Sequence, residues 1–379
     1  MRILKIMTFK TKKVWLLYIP YLFPSIIDGN LYPLRASVIT HLEIFFVMTI
    51  YFYFLSKDNI KNYTYICWAV LISILATWRS EGIYYVILAP ILICILLYKQ
   101  INIKKIIVMW LVRIMCVCGI NNVQKYNNPD QSIYSLSMLV GHLEALVTDE
   151  NTHITDEEME VINDVFPKEC GTDYHPTGFV AVVGDMNIRN DEDFPQKVSE
   201  LQRLYFKLIL RNPSAFIKDC WKLFEKTSLT IHNVDVLCAN TVAAFDEGYD
   251  QVYSTIMTNA HDNYYFVKPW SLDLRKKVVS ILECRHFDNY GEAYPIHLIF
   301  YNVLPNIIIL AICIIIGAIK RKKELFFISG FLLVRAGIVF VAAPVWYVMY
   351  YFPTILSSYV MLTVFLLNGK NKNDDCLQA

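Results

Sequence analysis

Eight apolar runs divide this chain, at approximately 14–27, 36–55, 63–77, 83–98, 106–120, 296–319, 325–343 and 345–367. A helix needs about 20 apolar residues to cross the hydrocarbon core of a bilayer, and about 17 at the least. Several of the runs meet that length and the others fall a little short. With 55% of its residues hydrophobic, the chain is too apolar for an ordinary water-soluble domain. The expectation is an all-α, polytopic membrane protein of about eight transmembrane helices.

The charges place the connections. A net charge of +1 conceals two opposed parts, because residues 121–293 hold 15 Lys and Arg against 27 Asp and Glu. The rest of the chain is therefore strongly basic, and its charges sit in short stretches between the apolar runs. With eight spans, one side receives Arg2, Lys5, Lys10, Lys12 and Lys13, then Lys57 and Lys61, then Lys99, Lys104 and Lys105, then the run Lys320 to Lys323, then Lys370 and Lys372. The short loops of the other side hold only Arg35 and Arg79. Lys and Arg accumulate on the cytoplasmic side of membrane proteins, so both termini are expected in the cytoplasm and the long acidic loop outside. The first run is short and carries Pro20 and Pro24. Its basic start resembles a signal peptide, but no small-x-small cleavage site follows.

Four regions follow: a membrane region of about five spans at 1–120, an acidic extracytoplasmic domain between the fifth and sixth spans at 121–293, about three further spans at 294–369, and a cytoplasmic tail at 370–379. The outer domain carries helical punctuation. Thr155-Asp156-Glu157-Glu158 has the form of a capping box, in which the Thr hydroxyl and the Glu carboxylate each satisfy a free backbone N–H at a helix start. Leu201, Leu204, Tyr205, Leu208 and Ile209 recur at helical spacing and stop at Asn212-Pro213. Pro213 suits the first turn of a second helix with Phe216, Cys220, Trp221 and Phe224 on one face. The domain is therefore expected to be mostly helical and to lie on the outer membrane surface.

Of the ten cysteines, Cys67, Cys94, Cys116, Cys118 and Cys313 lie in apolar runs, where packing is their ordinary role. Cys170, Cys220, Cys238 and Cys284 lie in the outer loop. Four thiols allow three pairings, and the sequence leaves open whether any disulfide forms. Asp173-Tyr174-His175 and His261-Asp262-Asn263 could each offer metal ligands, but His beside Asp is common in polar loops. No metal site is assigned, a divalent ion remains the one cofactor the motifs allow, and no other cofactor is implied. The acidic loop excludes nucleic acid as a partner. Gly-rich phosphate loops, Gly-x-Ser-x-Gly and His-Glu-x-x-His are absent.

Charges at membrane depth are the candidates for chemistry, since each costs several kcal/mol unless it faces a partner or a polar cavity. Arg335 sits in the middle of its run; it reads either as a guanidinium for phosphate or as an ion-pair partner of another helix. Arg113 sits in a shorter run and reads as structural. Trp78-Arg79-Ser80-Glu81-Gly82 closes the third run and opens directly into Ile83-Tyr84-Tyr85, which fits the rim of a site at the lipid–water boundary. Pro24-Ser25 leads into a first outer loop with Asp28 and Arg35, and His41 and Glu43 follow just inside the next run.

These residues together resemble a family. A Pro-Ser ending a span, a short outer loop closing on Arg35, Glu43 eight residues later, Trp-Arg-x-Glu-Gly, and a late Arg335 before Ala-Pro-Val-Trp-Tyr-Val-Met-Tyr-Tyr-Phe-Pro are similar to the bacterial GT-C superfamily of membrane glycosyltransferases, the protein-mannosyltransferase-like group. The likeness covers most of the membrane region and, more weakly, the helices around Arg211-Asn212-Pro213. It implies transfer of a sugar from a polyprenyl-phosphate donor to an extracytoplasmic glycan or lipid acceptor. On that reading Arg79, Arg335 and Arg35 hold the donor phosphate, for which a guanidinium offers two-pronged geometry. Glu81 and Glu43 orient those arginines, and Asp28 is the catalytic base. Members of the family begin with a further span and an outer loop carrying an acidic base. This chain begins close to the Pro-Ser, so the expectation is an N-terminally shortened and inactive member, the alternative being that Asp28 has taken over the acid's role. A non-catalytic membrane receptor or assembly protein whose outer domain binds a partner is the second reading. A transporter is disfavoured because paired Gly/Pro-broken spans are lacking.

The topology is open to direct test. On a cysteine-free background, Asp191→Cys should react with a membrane-impermeant thiol reagent on intact cells and Lys322→Cys should not. The reverse pattern would overturn the orientation.

Overall fold

The structure, a computed structural model, describes residues 12–31, 35–78, 82, 84–127, 142–165, 193–228, 271–284, 286, 294–343 and 348–368. Among these, all regular structure is helical. That is the outcome expected of backbone in lipid, where a helix satisfies its own N–H and C=O groups without water. A 3₁₀ helix, Lys12–Leu22, leads into α1 (Pro24–Leu31), α2 (Arg35–Ser56), α3 (Asn62–Thr77), α4 (Tyr85–Leu97) and α5 (Ile103–Asn127). After a short helix over 142–148 come α6 (Asp156–Asn163), α7 (Phe194–Arg211), α8 (Pro213–Ser228) and α9 (Leu272–Glu283). The chain then forms α10 (His297–Phe300), α11 (Leu304–Ile319), α12 (Lys323–Ala342) and, after one 3₁₀ turn, α13 (Phe352–Asn368).

Among the described residues, four segments are long and apolar enough to cross a membrane: Ala36–Ser56, Ile103–Val123, His297–Ile319 and Lys323–Ala342. The helices Asn62–Thr77, Tyr85–Leu97 and Phe352–Leu366 are apolar but shorter. The first apolar run behaves differently. It is split into the 3₁₀ helix, with Pro20 inside it, and α1, which starts at Pro24. Proline lacks a backbone N–H and fixes its own φ, so it opens a helix readily but interrupts one it falls within.

The helices group into two compact units. The first is Met1–Arg113, Thr227–Ala336 and Tyr347–Ala379; the second is Ile114–Lys226 and Gly337–Trp346. Within the first, α2 packs on α3, α4 and α13, α13 also packs on α11, and α9 lies against α1. Hydrogen bonds between helices hold this packing where apolar contact alone gives little advantage over lipid. Trp68 Nε1 donates to Thr49 Oγ1 at 3.0 Å, and the Tyr53 hydroxyl meets Thr64 Oγ1 at 2.8 Å. The Ser358 hydroxyl donates to Asn306 Oδ1 at 2.6 Å, with both residues fully buried.

Two glycines permit close approaches that other residues would block. A Cβ on Gly82 would stand 2.1 Å from the Leu75 carbonyl oxygen, so the chain can turn back against the end of α3 only because no side chain is there. A Cβ on Gly317 would stand 2.7 Å from the Phe326 nitrogen, which fixes the tight α11–α12 hairpin across the turn at Lys320 to Lys322.

In the second unit α7 and α8 are amphipathic, with one buried and one exposed face. Val198, Leu201, Leu204, Tyr205 and Leu208 of α7 are buried at helical spacing, together with Phe216, Cys220 and Phe224 of α8 and Leu146 of the 142–148 helix. Trp221 departs from the face that the sequence assigned to it: it is 50% exposed. With Phe216, Cys220, Leu223 and Phe224 turned inward, position 221 falls near the edge of the buried stripe, so the indole only leans on the Phe224 ring at 5.7 Å.

Candidate functional site

The strongest polar feature of the first unit lies among its most apolar helices. Arg335 on α12 donates through Nη1 to Oε2 of Glu43 on α2, forming an ion pair whose side chains are 2% and 1% exposed. Neither charge could be accommodated alone in this setting. An unpaired buried ion costs several kcal/mol, and deleting one member of a buried pair typically destabilises by about 3–5 kcal/mol because the other charge is left behind. The pair therefore ties together two helices 292 residues apart in sequence.

Aromatic rings surround it. Phe331, one turn before Arg335, contacts Phe46, which lies one turn after Glu43, at 6.2 Å between centroids. Tyr84 and Tyr85, at the start of α4, lie 5.4 and 5.5 Å from the Phe331 ring and 4.2 Å from each other. Both tyrosines interact electrostatically with Glu43 and Arg335. Among the described residues, neither phenol hydroxyl nor the second Glu43 oxygen has a hydrogen bond of regular geometry. The Tyr85 hydroxyl also interacts with Tyr84 and with Glu43, so these buried polar groups face one another.

The first turn of α4 also reaches a second buried cation. Arg113 on α5, 2% exposed, donates through Nη1 to the Val86 carbonyl oxygen and lies with its guanidinium carbon 3.9 Å from the centre of the Trp110 ring. The Ser73 hydroxyl, shared with the Ala69 carbonyl, reaches the Arg113 backbone carbonyl at 3.3 Å and pins α5 to α3.

Of the residues singled out from sequence, the structure thus brings together Glu43 and Arg335. Asp28 falls within α1 and Arg35 opens α2, and their side chains lie outside the described residues, as do Arg79 and Glu81 entirely. Tyr84, Tyr85 and the engagement of Arg113 carried no sequence signal beyond their nearness to charged positions. Among the described residues no group of three His, Cys, Asp or Glu is arranged to hold a metal ion. Asp173, His175, His261, Asp262 and Asn263 lie outside the described residues. Cys220 and Cys284 are free buried thiols, and Cys170 and Cys238 lie outside the description. Burial, with the Asp219 charge beside it, pushes the Cys220 thiol up to about 12, which leaves it inert as a nucleophile.

In the second unit the polar groups act on the fold. The capping box forms as read: the Thr155 hydroxyl accepts from the Glu158 N–H, and the Glu158 carboxylate accepts from the Thr155 N–H. Glu158 also binds Arg211 through both carboxylate oxygens at 2.9 Å and Lys207 at 2.7 Å. Chiefly through Arg211, then Lys207, the carboxyl is held well below its ordinary range. Asn212 Nδ2 donates to Asp149 Oδ1 and Thr152 Oγ1, both at 2.9 Å, while its Oδ1 caps α8 by accepting from the Ala215 N–H. Arg211-Asn212-Pro213 is therefore a staple: it ends α7, starts α8 and holds the loop before α6. His142, fully buried against the Phe216 ring, pairs through Nδ1 with Asp219 Oδ2 at 2.8 Å.

Comparison with known protein families, with curated proteins and with solved structures finds no match.

Replacing Asn212 tests the staple. Asn212→Ala removes a helix cap, worth about 1 kcal/mol, and strands buried donors and acceptors that cost about 1–3 kcal/mol. Amide hydrogen exchange over residues 194–228 should accelerate by the equivalent of about 2 kcal/mol, from those two contributions. Unchanged exchange would show that the Asn212 contacts carry no stability.

Proposed function

We propose that this chain is an integral membrane glycosyltransferase-like protein, passing a sugar from a polyprenyl-phosphate donor to an extracytoplasmic glycan or lipid acceptor. The observation that carries this reading is the meeting of Glu43 and Arg335 inside a layer of apolar helices, beside two tyrosine hydroxyls. Two residues singled out separately, from opposite ends of the chain, belong to one buried cluster. A fixed cation with a carboxylate partner, beside two tyrosine hydroxyls, suits a phosphate carried in lipid. In this reading Arg335 faces the donor phosphate with Glu43 orienting it, Arg79 and Arg35 approach from the outer rim, Glu81 orients Arg79, and Asp28 is the base. The membrane part has eight spans, both termini in the cytoplasm and residues 121–293 outside. Seven helices that coincide with the last seven apolar runs support that count.

The completeness of the burial supports a second reading. With side chains 2% and 1% exposed, the pair also fits a purely structural clamp in a non-catalytic membrane protein whose outer domain binds a partner.

The two readings part at Arg335→Lys. Lysine keeps the charge and loses the two-pronged geometry. In the first reading the full chain in detergent binds polyprenyl monophosphate, and the lysine variant binds it at least tenfold more weakly while remaining folded. If the lysine variant binds as the parent does, and Arg335→Met lowers only the melting temperature, Arg335 is a clamp and the donor assignment fails.

A further inference from the structure

Helix α9 presents a row of aliphatic side chains on its outer side. Ser271 caps its start by accepting from the Leu274 N–H, and Cys284 ends it in the left-handed conformation. Ser280 and Cys284 are buried and the helix lies against α1, whereas Leu274, Val278 and Ile281 are 49%, 45% and 73% exposed. Positions spaced by four and then three residues share one face of a helix, so these side chains form a continuous stripe. Single exposed aliphatic residues are ordinary, but a row of them marks a surface that meets something other than water.

Hydrogen bonds fix the level of this helix. The Tyr301 hydroxyl donates to the Leu282 carbonyl at 2.9 Å, and the Tyr294 N–H donates to the Cys284 carbonyl at 2.7 Å. Tyr301 lies one turn inside the apolar segment His297–Ile319, so the last turn of α9 stands level with the start of that segment. Ile296 and Ile299, where the segment begins, are exposed as well. The charge beside the stripe is basic. Lys277 borders it and is exposed. The run Arg275-Lys276-Lys277 sets three basic residues against Asp273 and Glu283, within a region, 121–293, where acidic residues prevail by 27 to 15.

We propose that α9 is a membrane-surface helix for anionic phospholipid, lying along the bilayer with Leu274, Val278 and Ile281 among the upper acyl chains and Lys277 at the headgroups. A helix with an apolar face and a basic border binds in this way, its apolar face sunk about 5–10 Å into the boundary between headgroups and chains. The bilayer is favoured over a protein partner because the helix is bonded to the start of a segment with the length and apolarity to cross it, and because a basic border complements anionic headgroups. Tyr294, exposed between α9 and that segment, is a residue type that settles at headgroup level. The surface stands under either reading of the proposed function, since it requires neither a sugar donor nor a protein partner.

The test puts one environment-insensitive fluorophore at a time on the cysteine-free full chain, reconstituted in vesicles of phosphatidylcholine and phosphatidylglycerol. Val278→Cys carries it on the stripe, and Asp273→Cys carries it on the flank of the same helix. Both positions are exposed, so neither label displaces a packed side chain. Lipids brominated on the upper acyl chain should quench the label at 278 at least about twofold more strongly than the label at 273, given the depth of such a face. Aqueous iodide should show the opposite preference. Lys277→Glu, or vesicles of phosphatidylcholine alone, should reduce the quenching by brominated lipid at 278. The proposal is overturned if iodide reaches the label at 278 as readily as the label at 273. It is overturned equally if that label is shielded from iodide and brominated lipid alike, which would mean that protein covers the stripe, or if Lys277→Glu and omission of phosphatidylglycerol both leave the quenching unchanged.

Discussion

A carboxylate on α2 and a guanidinium on α12 meet where there is no water to solvate either, and that constraint organises the first unit. Each charge makes the position of the other obligatory, so the pair selects one register between helices that the chain could otherwise slide past each other. The Phe46, Phe331, Tyr84 and Tyr85 rings fill the space around it. Since α2 also packs on α3, α4 and α13, the position fixed by Glu43 is passed to those helices as well. Arg113 then stands out by contrast. Among the described residues, the fold that pairs one buried arginine with a carboxylate gives the other a carbonyl and an indole ring.

The second unit solves the opposite problem. In its amphipathic helices α7 and α8, burial of Leu201, Leu208, Phe216 and Cys220 supplies the driving force, and polar groups finish the ends. The reciprocal bonds of Thr155 and Glu158, the bidentate Arg211 and the three bonds of Asn212 use groups that a helix terminus would otherwise leave unpaired. Depression of the Glu158 carboxyl gives this network a pH dependence. Its contribution is complete above the carboxylate's unfolded value of about 4.3 and is lost as pH falls toward the lower folded value.

Much of the helical architecture was legible because it depends on local pattern. The run 36–55 became Arg35–Ser56 and 63–77 became Asn62–Thr77, while the 201–209 periodicity and the Thr155 capping box formed where they were read. The first run forms a 3₁₀ helix and α1 in place of one continuous helix, a break that hydropathy does not register and that Pro20 and Pro24 account for. Trp221 was misplaced because an apolar side chain near the edge of an amphipathic stripe looks the same in sequence whether it is buried or not. The pairing of Glu43 with Arg335 could be offered only as one of two alternatives. A contact across 292 residues leaves no periodicity, and only the cost of the buried charge pointed to it. The helix stop at Asn212-Pro213 was legible from spacing, whereas the bonds of Asn212 to Asp149 and Thr152 were not, because those partners are far away in sequence.

The central claim is that Glu43 and Arg335 act as one unit. A double-mutant cycle on the full chain in detergent, with Glu43→Leu, Arg335→Met and both together, measures it through unfolding free energy. Each single change should cost about 3–5 kcal/mol by stranding a buried charge, and the double variant should recover most of that loss. If the two effects simply add, the charges do not depend on each other, and the account of this interior is wrong.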